Sequence, residues 1–128
     1  MVTVDKIQTR LALLERLPSG IVRIRFHEGV GLDMAGITEV LEARVRLADG
    51  HRVPVMVVLN ADSIGEVRIN LTDHSPQVRD TTHCEATVAP PDAIRRLTDL
   101  YYGHHQPPFP TAIFEHEEEA LAWLEAQC

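Results

Sequence analysis

Seven histidines, at His27, His51, His74, His83, His104, His105 and His116, are the side chains best suited to acid–base or metal chemistry in this chain. None sits in an HExxH pattern, in an HxH pair with a carboxylate at fixed offset, or near a CxxC pair, so a metal site would have to be assembled in three dimensions. His104 and His105 follow a predicted helix C-terminus, where the helix dipole favours an imidazolium, and that role suffices for them. Cys84 beside His83 offers a nucleophile next to a base. Neighbouring strand residues point to opposite faces, however, so the two do not meet. GxSxG, P-loop and GxGxxG patterns are missing, which leaves hydrolase, nucleotide and dinucleotide chemistry without a motif. The chain therefore reads as non-enzymatic, with no cofactor and no metal.

The remaining chemistry-bearing groups are aromatic. Tyr101, Tyr102, Phe109 and Trp123 lie near the end of the chain and could line an apolar pocket between the last two helices and a sheet. The competing reading is that the rings fill a core, as aromatics usually do. Glu117, Glu118 and Glu119 precede an apolar run and read as the negatively charged first turn of a helix rather than as a site.

Composition bounds the partners. A chain of 128 residues with 45% apolar and 24% charged residues suits one soluble globular domain spanning 1–128, able to bury roughly two-thirds of its unfolded surface. Net charge is -7 and no segment gathers Lys and Arg into a stripe, so phosphate backbones and anionic lipid are repelled and nucleic acid is not expected. No apolar run approaches the ~20 residues of a membrane span, and the first twenty residues do not look like a leader, which points to the cytoplasm. Cys84 and Cys128 are too few for a disulfide framework and read as reduced thiols, Cys128 being able to cross-link dimers in air.

Several elements must position these groups. In "RLALLERLPSGIVRIRF" two β-compatible runs flank a turn, with Pro18 suited to its second position and Gly20 to the left-handed conformation that closes it. Val22, Ile24 and Phe26 alternate with Arg23 and Arg25, which predicts a strand near a sheet edge with a solvated arginine face. Asp33 is a candidate N-cap for a helix bearing Ile37, Val40, Leu41, Val45 and Ala48, ended by Gly50. "VPVMVVLN" is apolar almost throughout, as in a central strand covered on both faces, with Pro54 tolerable at its start.

Residues 60–82 stay open: Val67, Ile69 and Leu71 alternate like a strand, whereas Ser75 and Pro76 look like a cap and a first helical residue. "CEATVAP" predicts a short strand with Cys84, Ala86 and Val88 on one face. "PPDAIRRLTDLYYG" predicts a helix with Asp92 at its start, an Ile94, Leu97 and Tyr101 stripe, and Gly103 as its stop. In "QPPFP" each residue before a proline is driven to extended geometry, making a stiff arm that delivers Phe109 to the core. "TAIF" is a last strand and "EHEEEALAWLEAQC" a closing helix with Leu121, Leu124 and Cys128 on one face and Ala120 and Trp123 beside it.

This order resembles the small bacterial SpoIIAA-like domains, also called STAS-like or STAS/CRAL-TRIO-like. The resemblance rests on "GIVRIRFHEGVGLDMAGITEVLEARVRLADGHRVPVMVVL" at 20–59 and on "QPPFPTAIFEHEEEALAWL" at 106–124. It implies an α/β sandwich: a mixed sheet of about five strands flanked by three or four helices. It also implies a regulatory or scaffolding module that binds another protein, with a homodimer as one form. The other class open to such a domain is the binding of a small apolar ligand or lipid in the aromatic pocket above. Within the wider STAS group a phosphorylatable serine follows an aspartate at a helix start, and Asp62, Ser63 and Gly65 echo that arrangement, with Ser63 as the candidate switch. Asp-Ser with a nearby glycine is also ordinary turn chemistry. The "D-L-R" and "S-R-E-A-R" runs usual after the central strand in that family are replaced here by "LNADSIGEVRINL".

Overall fold

The computed structural model describes residues 5–29, 34–60, 76–92 and 109–127. The strands are β1 (Lys6–Gln8), β2 (Ala12–Arg16), β3 (Val22–Phe26), β4 (Val53–Val58), β5 (Thr82–Val88) and β6 (Thr111–Phe114). Among the described residues, the helices with both ends in view are α1 (Met34–Ala48), α2 (Pro76–Thr81) and α3 (Glu117–Gln127). All six strands form one sheet in the order β1-β2-β3-β4-β5-β6. β1 to β3 pair antiparallel, and β3 to β6 run parallel. This is the mixed α/β sandwich the resemblance implied, with six strands among the described residues against about five expected. β1 was missed because three residues, of which only Ile7 is partly buried, are too few to show a period.

The β2–β3 hairpin forms as its turn residues dictate. Gly20 adopts φ 94° and donates its N–H to the Leu17 carbonyl at 2.8 Å, while Leu17 N–H reaches the Ile21 carbonyl at 2.8 Å. That positive φ is cheap only for glycine. At the end of α1, Asp49 (φ 51°) and Gly50 (φ 78°) reverse the chain, and His51 N–H satisfies the Ala48 carbonyl at 3.0 Å. Pro76 does begin α2; Asp33 and Ser75, the expected caps, lie outside the described residues. Pro91 and Asp92 are helical, but the Ile94, Leu97 and Tyr101 stripe and Gly103 also lie outside them, as do Val67, Ile69, Leu71 and Cys128.

β4 is the central ribbon. Val53 and Val55 pack on one face with Ile37, Val40, Ala43 and Leu47 of α1, whereas Met56 packs on the other with Cys84, Ala86 and Val88 of β5 and with Ala120 and Leu124 of α3. Burial on both faces is why its sequence shows no polar alternation. Gly36 lets α1 approach the sheet closely, since a Cβ there would run into the Leu11 side chain.

β3 is not near an edge: it lies between β2 and β4. Its arginine face is not simply solvated either. Arg23 Nη2 donates to Glu15 on β2 at 2.8 Å, and Arg25 Nη2 to Glu117 at the start of α3, also at 2.8 Å. The acidic first turn of α3 therefore has a second role beyond its dipole, tying the helix to the sheet.

Candidate functional site

In an open α/β sheet the concavity beyond the carboxyl ends of parallel strands is where loops can meet a ligand or partner. Here β3 and β4 deliver Arg25, Phe26, His27, Glu28, Val58, Leu59 and Asn60 to that end, around an open concavity of about 460 Å³. Asn60 Nδ2 donates to the Phe26 carbonyl at 3.1 Å, joining the ends of the two strands. His27 N–H donates to the Leu11 carbonyl at 2.9 Å. The His27 ring meets the Gln8 side-chain amide through Nε2. The rim is thus polar, mixed in charge and held by backbone bonds.

Below it, on the α3 face, charges alternate from Lys6 to Glu15 (3.7 Å), Arg23 (2.8 Å), Glu117 (3.9 Å) and Arg25 (2.8 Å). The hydrogen bond from Arg23 holds the Glu15 carboxyl below its ordinary value; partial burial opposes this, and the charges of Arg23 and Lys6 add to it.

The opposite face holds a different pair. Arg44 Nη1 donates to Glu85 at 2.7 Å and its Nη2 to Thr82 Oγ1 at 2.8 Å, while Thr82 Oγ1 donates onward to the Val78 carbonyl at 2.7 Å. Arg44 Nε is buried without a partner. The adjoining apolar cavity, walled by Ile24, Ile37, Val40 and Val57, measures about 30 Å³. That is room for a water or two rather than an organic ligand. Sequence reading missed this pair, although a signal existed: Arg44 falls four residues after Val40 and four before Ala48, inside the apolar stripe of α1.

Of the sequence-predicted site residues, Phe109 and Trp123 lie among the described ones, and they have different neighbours. Ser63, Tyr101 and Tyr102 lie outside the described residues, as do Asp62, Gly65, His74, His104 and His105. Phe109 is buried and lines a groove at the amino ends of β4 to β6, whereas Trp123 packs against Phe114, ring centroids 6.0 Å apart and planes tilted by 54°. Cys84 is buried while His83 is exposed with its ring on the Gln127 carbonyl at 2.8 Å, so they face opposite ways. Among the described residues no group of three or more His, Cys, Asp or Glu side chains is placed to hold a metal ion. No described helix is long and apolar enough to cross a membrane.

A mixed sheet with α1 on one face and α3 on the other has the SpoIIAA/STAS-like fold. The crystal structure of an anti-sigma factor antagonist from Mycobacterium paratuberculosis matches it with a TM-score of 0.60 at 17% identity, covering 89% of this chain and 92% of that one. The chain belongs to the DUF7793 family, a domain of unknown function, whose model matches residues 16–127. No curated protein matches the chain. The expected SpoIIAA likeness thus holds for the fold, and the family is DUF7793.

Proposed function

We propose that this domain is a non-enzymatic regulatory or scaffolding module that binds another protein through the rim at the carboxyl ends of β3 and β4. The observation that carries the reading is the likeness, along nearly the whole of both chains, to a solved anti-sigma factor antagonist. The rim supports it: His27, Glu28 and Asn60 offer donors and acceptors on an open surface, which suits a protein partner better than an enclosed substrate. In this reading residues 1–128 act as one cytoplasmic domain without nucleic acid or cofactor. Ser63, just beyond Asn60 in the chain, is the position where phosphorylation would add negative charge.

Affinity capture from the source cells, using wild type beside His27→Glu and Glu28→Arg, tests the proposal. A partner that co-purifies in fixed stoichiometry with wild type and is lost from both folded variants supports it. A partner retained equally by both variants removes the rim from the interface, and turnover of a small molecule by the purified chain overturns the non-enzymatic reading.

A further inference from the structure

At the other end of the sheet, where β4, β5 and β6 begin, lies a groove of about 640 Å³. Arg52 enters it from the residue before β4, Arg79 and Asp80 from α2, and Phe109 and Pro110 from the arm that leads into β6. Gln127, at the end of α3, closes one side through its carbonyl, which accepts from His83 Nε2–H at 2.8 Å.

The two guanidiniums differ from the other arginines of the sheet region. Arg16 donates to the Leu47 carbonyl, Arg23 and Arg25 pair with Glu15 and Glu117, and Arg44 pairs with Glu85. Among the described residues the guanidiniums of Arg52 and Arg79 have no hydrogen-bond or ion-pair partner, not even Asp80 in the same groove, and both residues are exposed. In a chain of net charge -7 most of the surface repels anions, so unpaired cations gathered at one groove make a local exception. Guanidinium forks match carboxylates in shape and charge. The groove is far larger than a single oxyanion, and buried Phe109 beside Pro110 gives it an apolar part.

We infer that this groove binds an acidic, extended segment of a partner protein, its carboxylates on Arg52 and Arg79 and one apolar side chain against Phe109 and Pro110. The surface is separate from the His27–Asn60 rim, at the opposite end of the parallel part of the sheet, so variants of one leave the other intact and the two proposals fail independently.

The probe is a fluorescein-labelled oligoglutamate peptide with one central leucine, followed by fluorescence anisotropy against the full chain. Saturable binding is expected, weakened about fivefold or more by Arg52→Glu and by Arg79→Glu, and reduced by added salt. Replacing the leucine of the peptide by serine should weaken binding about threefold or more. Arg46→Glu, at an exposed position on α1 outside the groove, should bind as wild type, and circular dichroism should show all three variants folded. Absence of wild-type binding overturns the inference, as does equal loss in Arg46→Glu. Complete displacement by millimolar inorganic phosphate would assign the groove to a lone oxyanion instead. A dimer by light scattering that Arg52→Glu dissolves would assign it to a second copy of the chain, against the inference.

Discussion

Arg44 on α1 and Glu85 on β5 form an ion pair at 2.7 Å in which both side chains are almost wholly buried, at 5% and 6% exposure. The pair bridges the helix and the sheet, with the buried Thr82 hydroxyl accepting a further bond from Arg44. Desolvating two charges offsets most of their attraction, so the pair adds little net stability while making either partner costly to remove alone. Glu85→Leu or Arg44→Met should each lower unfolding free energy by about 3–5 kcal/mol. The double variant should recover most of that loss. Urea denaturation of the three variants checks this, and additive losses in the double variant would show that the two charges do not depend on each other.

Glu15 ties stability to acid. Its carboxyl, held by Arg23, has a folded-state pKa below that of the unfolded chain. Its contribution is therefore complete above the ordinary carboxylate range and disappears as pH falls through the lowered folded value. Glu15→Gln should flatten the acid limb of the stability curve relative to wild type, measured as urea midpoints from neutral pH downwards. An unchanged limb would mean that the ion pair does not distinguish the folded from the unfolded state.

Gly36 is required by close approach rather than by backbone conformation. Gly36→Ala improves helix propensity, yet its methyl group would overlap the Leu11 side chain. Overpacking of this kind costs about 1–3 kcal/mol, which exceeds the propensity gain of about 1 kcal/mol at most. A lower melting temperature for Gly36→Ala is expected, restored in part by Leu11→Val.

Leu124 of α3 is fully buried against the β5 face. Leu124→Ala should cost about 2–5 kcal/mol in chemical denaturation, whereas Glu125→Ala on the exposed side should change stability by less than about 0.5 kcal/mol. A Leu124→Ala loss within the range of the surface variant would show that α3 is not seated on the sheet in solution.

Much of the framework was legible because it depends on local signals. Gly20 marked the hairpin, the unbroken apolar run at 53–58 marked the doubly covered strand, and Cys84, Ala86 and Val88 alternated onto one face as expected. Phe109 reached a buried position at the end of its proline arm. The candidate site was much less legible. Phe109 and Trp123, paired by their nearness in sequence, have different neighbours, since a strand and part of a helix separate them and side-chain direction follows each element's own period.

The amino-acid pattern by itself determined the α/β class, the central position of β4, the stop of α1 at Gly50 and the start of α2 at Pro76, because hydrophobic period and turn chemistry act over a few residues. Tertiary structure alone decided that β3 is interior, that Arg25 meets Glu117 across 92 positions, and that Arg44 turns inward to Glu85. A charged residue in a helical stripe or a strand face looks the same in sequence whether water or a carboxylate covers it, and only the packing of distant elements supplies the partner.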